Sequence, residues 1–485
     1  MRVAGRLIGS SRTCDLTVHN STHVNCVRGV LERLFYVQTD GEFHEPWTPT
    51  QDFDVSLEPF RRKLLQTARR TAVLTWDEFL SQYTGRKRTL NEQAVETFRT
   101  KDLARSDAFV DTFVKAEWVP QKKDGPPRMI QPRSRRFNCL IGRWIKPIEK
   151  QIYSALNKML GGVVVAKGLN AEQRAVELRK HWMSMKDPVA VLLDVSRFDQ
   201  HVSKPALEWE HGVYSWFFPQ DADFRRMLCW MRQNIGYART RDGTIKYKLD
   251  GKRMSGDMST SLGNVLLMTA VLVSYLWRGY RDEDWRVFDD GDDCVLLLER
   301  SVMQRAVDQL PGWYKGHGFK LKIEQVTDVF EQIQFCQSSP VETANGWRMV
   351  RDPAICLEKD LLQVKMFRTQ KQWEEKMVAI AGCGLALAGD VPIYWVFYSQ
   401  LARFGAQKST ELVSGMDYLA YGLEQKCQPP SDEARVSFFR AFGISPHEQL
   451  AVEEYYRGIR PEWCEPVPLG KVVRLAVAVL VNKEN

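Results

Sequence analysis

The chain has 485 residues, of which 44% are hydrophobic and 26% are charged, and its formal net charge is +8. It can bury large cores in two or three lobes, and its positive charge suits a polyanionic partner. The ten cysteines include no Cys-x-x-Cys pair and no ligand spacing with histidine. This pattern argues against a zinc site or a disulfide framework and fits the reduced cytosol.

The first 186 residues are predicted to form loops followed by basic helices. Prolines indicate surface loops in residues 1–60, and residues 1–11 lack the apolar core of a secretory signal. Residues 115–150 contain ten basic and three acidic residues, with three aromatic residues between them. Such a stretch is typical of phosphate binding, although a solvated basic face has the same composition. Four prolines in residues 120–132 predict an extended segment within it.

The apolar run at residues 189–193 has the length and composition of a buried strand, and Asp194 stands at its end. Asp199 follows after a predicted turn. Because phosphoryl transfer with two metal ions needs carboxylates from separate elements, Asp194 is a candidate ligand. The alternative is that Asp194 only ends the strand and caps the next segment. Residues 205–240, rich in Trp, Phe and Arg, are predicted to be helical.

A polar loop at residues 254–264 leads into an apolar run at residues 265–277, which is typical of a buried helix. Ser255, Thr260 and Asn264 offer hydroxyl and amide groups that can hydrogen-bond a ribose or a template backbone. A helix start rich in Ser and Thr is the alternative. The run of thirteen residues is short for a membrane span, and the other candidate, residues 377–401, is interrupted by Asp390 and Pro392.

Residues 287–298 are predicted to form a tight β-hairpin with a Gly-Asp-Asp turn. Asp289, Asp290, Asp292 and Asp293 would repel one another unless a cation neutralised them, and Mg²⁺ prefers such oxygen ligands. An Asp-Gly turn is also ordinary hairpin chemistry, so this segment alone is weak evidence. Further along, residues 330–337 are predicted to be a strand and residues 369–381 an amphipathic helix.

Three motifs taken together, in chain order, resemble the palm motifs of viral RNA-dependent RNA polymerases. They are Asp194-x-Ser-x-x-Asp199, Ser255-Gly-x-x-x-Thr260-x-x-x-Asn264 and Gly291-Asp-Asp293. The amino-acid sequence of these motifs is similar to that of the tombusvirus and luteovirus group, and the resemblance runs at least from Lys115 to about Asp360. It implies an α+β right-hand fold with fingers, a palm built on an antiparallel sheet, and a helical thumb. The implied divisions are residues 1–186 (N-terminal segment and fingers), 187–204 and 250–350 (palm), 205–249 (fingers insertion) and 351–485 (thumb).

The resemblance also implies a role for each candidate residue. Asp194 and Asp292 would bridge two Mg²⁺ or Mn²⁺ ions, with Asp293 assisting and the backbone carbonyl of Val195 as a further ligand. The other implied roles are ribose recognition (Asp199, Ser255, Thr260, Asn264), triphosphate contact (Lys115, Arg128, Arg133) and general acid (Lys320 or Lys322). A hydrogen-bonding site of this kind rejects a substrate that lacks the hydroxyl group, which favours ribonucleotides.

The expected function is therefore RNA-dependent RNA synthesis with NTPs on a viral RNA template. Two alternatives are a reverse transcriptase, which usually has an aromatic residue at the position of Asp199, and an RNA-binding scaffold, which explains the charge but leaves the aspartates without a purpose. The resemblance implies an RNA template, nascent RNA and a membrane-anchored auxiliary replication protein as partners. It also implies recruitment to membrane-associated replication complexes in the host cytoplasm, without a membrane span in this chain.

Overall fold

The computed structural model describes residues 5–6, 16–39, 41–120, 125–363, 369–405 and 415–458. Helices and strands alternate through these ranges, which confirms the predicted mixture of α and β structure. The α-helices are α1 His23–Val30, α2 Phe53–Ser56, α3 Glu58–Thr67, α4 Trp76–Leu80, α5 Gly85–Glu96, α6 Arg135–Met159, α7 Ala171–Met183, α8 Phe198–His201, α9 Lys204–Phe217, α10 Ala222–Arg232, α11 Thr260–Gly279, α12 Arg300–Gly316, α13 Pro353–Lys359, α14 Gln370–Ala388, α15 Tyr394–Ala402, α16 Met416–Ala420, α17 Asp432–Phe442 and α18 Pro446–Gly458. The strands are β1 Gly5–Arg6, β2 Leu16–Val18, β3 Val37–Thr39, β4 Glu42–His44, β5 Val110–Asp111, β6 Phe113–Val114, β7 Trp118–Pro120, β8 Met129–Ile130, β9 Pro188–Val195, β10 Gln233–Thr240, β11 Gly243–Asp250, β12 Trp285–Asp289, β13 Asp293–Glu299, β14 Leu321–Thr327, β15 Ser338–Thr343, β16 Gly346–Arg351 and β17 Leu362–Gln363.

Four antiparallel strands form the central sheet in the order β12-β13-β9-β14. Successive residues of β9 enter two different cores. Val191 and Leu193 belong to the core that contains helix α11, whereas Ala190 and Leu192 belong to the core that contains residues of helix α7. A strand that is buried on both faces needs an apolar side chain at every position. This explains the continuous apolar run and confirms the predicted strand.

Helix α11 is apolar on all sides because it lies inside the protein. Every residue from 262 to 276 is buried. Among the described residues it is the one helix long and apolar enough to cross a membrane, and 83% of the apolar window is buried within the protein. A helix that is hydrophobic all round and covered by its own protein fits the predicted core helix. The other candidate, residues 377–401, is divided between α14 and α15.

The helical prediction for residues 205–240 is correct for α9 and α10 but wrong from Gln233 onward. Strand β10 begins there and pairs with β11 along its whole length, from Gln233 opposite Asp250 to Thr240 opposite Gly243. Its residues alternate between buried and exposed positions, as in a strand with one covered face. The turn signal that marks this hairpin is Asp242-Gly243, where Gly243 has a φ of 149°.

The predicted strand at residues 330–337 is also wrong. Residues Phe330–Gln332 form a 3₁₀ turn, and Cys336 and Gln337 have positive φ values of 51° and 59°. Phe330, Ile333 and Phe335 are buried in the core beneath the sheet, so their apolar character comes from anchoring a loop. The strand proper, β15, begins at Ser338 and pairs with β16.

The C-terminal helices pack around a separate core that includes residues of α14, α15 and the β15–β16 hairpin. Thr369 caps α14, since its side chain accepts a hydrogen bond from the Gln372 backbone. The helix predicted at residues 369–381 is therefore confirmed, and it continues to Ala388.

Replacing Leu272 with Ala is expected to destabilise the protein by about 2–5 kcal/mol, because it leaves a cavity around a fully buried position of α11. Leu450→Ala is the matched control, since Leu450 on α18 is 48% exposed and its loss should cost less than about 0.5 kcal/mol. Denaturant unfolding followed by fluorescence measures both. Equal losses in the two variants would contradict this description of the core.

Candidate active site

The Gly-Asp-Asp segment forms the predicted hairpin turn between β12 and β13. The Asp290 backbone N–H donates to the Asp293 carbonyl at 2.9 Å. Gly291 has a φ of 109°, a conformation that residues with a side chain rarely adopt. Asp289 is fully buried beneath the turn and accepts hydrogen bonds from the Gly291 backbone at 3.1 Å and the Thr269 hydroxyl at 3.2 Å. Burial raises the pKa of Asp289 well above its ordinary value. Asp289 therefore supports the turn from inside.

Asp290 is neutralised by two cations that the sequence analysis did not identify. Its carboxylate lies 2.9 Å from the Lys167 ammonium and 3.1 Å from the Arg174 guanidinium. The Cys336 thiol donates to the same carboxylate at 3.1 Å. These partners are remote in sequence and follow no motif spacing. They remove one charge from the crowded turn and leave Asp292 and Asp293 facing the open end of the sheet, where both are exposed.

Asp194, Asp292 and Asp293 come together at the same end of the sheet. Asp293 is the register partner of Asp194 across the β9–β13 pair, and Asp292 precedes it at the turn. Burial raises the pKa of Asp194, and the charges of Glu324 and Asp292 add to this effect. The pKa of Asp293 is raised to about 6, chiefly because surrounding protein atoms displace water from its carboxylate. The charges of Asp292 and Asp194 add to this effect. The three carboxylates thus repel one another across two strands.

This donor set fits hard divalent cations. Carboxylate oxygens from separate strands are the ligands that Mg²⁺ takes, and a bound cation would offset both the desolvation and the repulsion that raise the pKa of Asp293. Within the described ranges, no three side chains of the His, Cys, Asp and Glu types are assembled closely enough to hold a metal ion. Val195, the predicted backbone ligand, lies next to Asp194 in β9 and is the register partner of Leu321.

The third strand at this site, β14, carries the candidate general acid Lys322. Lys322 is the register partner of Asp194, and its ammonium lies 3.1 Å from Glu324. The pairing of β14 with β9 shifts between Ile323 and Gln325, so Glu324 occupies an irregularity beside the site, a common position for functional side chains. Lys320 lies just before the paired region, and its carbonyl accepts from the Ser196 backbone at 3.0 Å.

Two residues of the predicted ribose network are in direct contact. The Asn264 side-chain nitrogen Nδ2 donates to Asp199 Oδ1 at 3.1 Å. Burial raises the pKa of Asp199 to about 6, although the hydrogen bond from Asn264 and the positive charge of Arg253 oppose the rise. Asn264 comes from the first turns of α11 and Asp199 from α8, so tertiary packing joins the two motifs.

The hydroxyls of Ser255 and Thr260 are hydrogen-bonded within the protein, and their part in ribose recognition stays a prediction. Ser255 Oγ donates to the Met129 carbonyl at 3.2 Å. Thr260 Oγ1 donates at 3.0 Å to the carbonyls of Met254 and Asp257. Each hydroxyl hydrogen is therefore used to hold the loop that precedes α11. The structure does not join these two side chains to the Asp199–Asn264 pair.

A buried ion pair behind Asn264 was also missed by the sequence analysis. Arg253 is 1% exposed and donates through both terminal nitrogens to the carboxylate of Glu210, which is fully buried; the Nη1–Oε1 distance is 2.9 Å. Its Nε donates to Asn264 Oδ1 at 3.0 Å. Glu210 stands among buried residues of helix α9, 43 positions before Arg253. A glutamate at the helical spacing of Leu207, Val213 and Tyr214 was the available signal, but nothing in the sequence links it to Arg253.

The expectation that Arg133 contacts the triphosphate does not fit its position. The Arg133 side chain is fully buried and forms an ion pair with Asp257 at 2.6 Å. It also donates to the Ala108 carbonyl at 2.6 Å and to Asn234 Oδ1 at 2.7 Å. Its donors are thus used to connect the Ser-Gly-Asp loop to the neighbouring elements. Position in a basic, proline-rich segment did not distinguish this buried arginine from an exposed one.

Lys115 and Arg128, by contrast, lie side by side. The Lys115 backbone N–H donates to the Arg128 carbonyl at 2.8 Å, which extends the pairing of β6 with β8. Both side chains are at least one third exposed and approach the same Glu117 carboxylate, at 2.9 Å for Lys115 and 3.4 Å for Arg128. The described part of the predicted extended segment, residues 120 and 125–132, contains no helix, while residues 121–124 lie outside the described residues. Lys115 and Arg128 present two cations within reach of one anionic group.

Known proteins with similar sequences agree with the motifs. A family model described as viral RNA dependent RNA polymerase matches residues 2–463. The RNA-directed RNA polymerase of Tobacco necrosis virus (strain A) is 36% identical over 458 residues, which is 93% of this chain and 63% of that protein. The corresponding protein of Maize chlorotic mottle virus is 37% identical over 469 residues, 94% of this chain and 48% of that protein. That of Turnip crinkle virus is 35% identical over 489 residues, 98% of this chain and 62% of that protein.

The family match covers nearly the whole sequence, so the chain belongs to the viral RNA-dependent RNA polymerase family. This confirms the resemblance predicted from the three motifs, including their similarity to the tombusvirus group. The chain spans about half to two thirds of the length of these curated relatives.

Arg133→Ala is expected to destabilise the protein by about 3–5 kcal/mol, because it leaves the buried Asp257 carboxylate without its partner. Arg128→Ala is the control, since the Arg128 side chain is 59% exposed and its loss should leave the midpoint of thermal unfolding nearly unchanged. A stable Arg133→Ala protein that has lost affinity for nucleoside triphosphates would instead support the predicted contact of Arg133 with the triphosphate.

Proposed function

We propose that the chain catalyses template-directed addition of NTPs to the 3′-hydroxyl of a growing RNA and so replicates a positive-strand viral RNA genome. The observation that carries this proposal is the convergence of Asp194, Asp292 and Asp293 at one end of the sheet. Nucleotidyl transfer needs such carboxylates, since the reaction depends on positioning and on neutralising phosphate charge. A scaffold that only binds RNA would have no use for three carboxylates that repel one another.

Asp194 and Asp292 would hold two Mg²⁺ or Mn²⁺ ions between them, with Asp293 and the Val195 carbonyl as further ligands. When bound, the ions would supply the Lewis acidity that activates the 3′-hydroxyl and neutralises the leaving pyrophosphate. The chain's own contribution is to bring the carboxylates to the same end of the sheet. The register pairing of Asp293 with Asp194 supports this role.

The Asp199–Asn264 pair would recognise the ribose of the incoming nucleotide. A carboxylate accepts a hydrogen bond from a ribose hydroxyl, and the second Nδ2 hydrogen of Asn264 can be donated to a hydroxyl oxygen. A deoxyribonucleotide would leave the remaining acceptor and donor positions of this pair without a hydrogen bond from the sugar, which is unfavourable. Their direct contact at 3.1 Å supports a single recognition unit.

Lys115 and Arg128 would bind the triphosphate. Both currently lie near Glu117, which a triphosphate would replace as their anionic partner. Lys322 is the better placed of the two candidate general acids, because it stands opposite Asp194 in the sheet. Its proton would pass to the leaving pyrophosphate.

The same proposal assigns the central sheet to a palm, the basic N-terminal elements and the β10–β11 hairpin to fingers, and the helices after residue 351 to a thumb. RNA template and nascent RNA are the expected ligands. A membrane-anchored auxiliary replication protein would recruit the chain to replication complexes in the host cytoplasm. Co-flotation with membranes only when such a protein is co-expressed is the expected result; flotation of the chain alone would contradict it.

Asp292→Asn is expected to reduce template-directed NTP incorporation at least about 100-fold. It removes the negative charge of a residue that would hold the ions neutralising the phosphate charge of the transition state. RNA binding and thermal stability should stay at the wild-type level, since one of three repelling carboxylates has been neutralised. Asp308→Asn, on the exposed face of α12, is the matched control and should retain activity. Wild-type rates in Asp292→Asn would refute the proposed site.

Arg128→Ala is expected to raise the KM for NTPs about tenfold, because a charge-assisted hydrogen bond to phosphate is lost. Steady-state kinetics at saturating template measures this, with RNA affinity determined separately. Arg99→Ala is the control, because Arg99 is 78% exposed and pairs with Glu96 on the surface. An effect on RNA affinity alone would place Arg128 along the template path instead.

A further inference from the structure

Arg253 contacts both residues of the Asp199–Asn264 pair. Its backbone N–H donates to the Asp199 carbonyl at 3.0 Å. Its side-chain Nε donates to Asn264 Oδ1, also at 3.0 Å. Asn264 Nδ2 in turn donates to Asp199 Oδ1 at 3.1 Å. One residue therefore holds the main chain of Asp199 and the side-chain amide of Asn264 at the same time.

The chemistry of the guanidinium group decides how the Asn264 amide is oriented. Arginine has N–H donors and no acceptor, so only the oxygen of the amide can face it favourably. The nitrogen Nδ2 must then face the Asp199 carboxylate, to which it donates. In the opposite orientation the amide oxygen would face a carboxylate, and both groups would be acceptors. Arg253 thus selects one of the two orientations in which the Asn264 amide could otherwise lie.

Two further residues keep the guanidinium in place. Both terminal nitrogens of Arg253 donate to Glu210, and the side chains of the pair are 1% and 0% exposed. Gly263 lies in α11 directly beside the guanidinium. A Cβ atom at this position would lie 2.4–2.5 Å from three guanidinium atoms of Arg253, closer than real contacts allow. Glycine is unfavourable inside a helix, and here it makes room for the arginine.

We infer that Arg253, held by Glu210 and given room by Gly263, is a positioning residue that determines the preference for ribonucleotides over deoxyribonucleotides. It acts through Asn264, whose amide it keeps in the orientation that serves Asp199 and the ribose. The inference rests on the proposed function, because it assigns the sugar selectivity of that reaction to a residue outside the substrate pocket. A purely structural ion pair would instead affect all substrates equally.

The test compares kcat/KM for an NTP with kcat/KM for the matching dNTP on an RNA template. Glu210→Gln and Gly263→Ala disturb Arg253 independently. The first removes the charge of its ion-pair partner, and the second places a methyl group where the guanidinium lies. Gly279→Ala is the matched control in the same helix, where an added Cβ meets only Arg305 Nη2 at an ordinary 3.8 Å. The ratio of the two kcat/KM values does not depend on how much of each variant is folded, so partial unfolding does not obscure the result.

Both variants are expected to lower the NTP-to-dNTP ratio about tenfold, the effect of one misplaced hydrogen bond, while the control keeps it. The double variant Gly263→Ala/Asn264→Ala should have the same ratio as Asn264→Ala alone, because the inferred effect of the guanidinium on sugar selectivity passes through its hydrogen bond to that amide. An unchanged ratio in both single variants, or fully additive losses in the double variant, would overturn the inference. Failure of the wild-type protein to incorporate any NTP, with Mg²⁺ or Mn²⁺, would refute the proposed function and with it this inference.

Discussion

The site depends on holding like charges close together. Desolvation raises the pKa of Asp293, and the charges of Asp292 and Asp194 add to this rise, so the three carboxylates repel one another and a flexible chain would separate them. The pairing of β9 with β13 prevents this, because both strands are buried on both faces and separating them would expose apolar side chains of two cores. The hydrophobic cores therefore supply the free energy that keeps an electrostatically unfavourable cluster assembled.

The loop before α11 illustrates a second use of buried charge. Arg133 and Arg253 are both buried, and each connects this loop to other elements through a carboxylate and hydrogen bonds. Removing a guanidinium from water is costly, so such pairs are weak evidence for stability in themselves. Their geometric consequence is clearer, since the rigid donors of arginine fix the direction of every acceptor around them. In this protein they orient Asp257 and Asn264.

Basic residues consequently serve two different purposes within one stretch of sequence. Lys115 and Arg128 are exposed and lie beside the same carboxylate, where a polyanion can replace it. Arg133, five positions after Arg128, is fully buried and takes part in the internal framework. Composition counts the three as equal contributions to a basic patch. Burial separates a charge that can meet a phosphate from one that already has its partner.

The sequence by itself determined the strand before Asp194, the Gly-Asp-Asp hairpin, the core helix α11 and the family, because these depend on local apolar runs, turn residues and short motifs. It misread residues 233–240, where the buried face of the strand is formed by Asn234, Gly236 and Ala238 and so gives no apolar alternation. It also misread residues 330–337, whose apolar residues anchor a loop, because the state of such a segment is decided by what it packs against. Only the tertiary structure decided that Arg253 holds Asn264 and that Arg133 is buried. Such contacts join residues far apart in the chain, and their energy depends on desolvation, which no local pattern records.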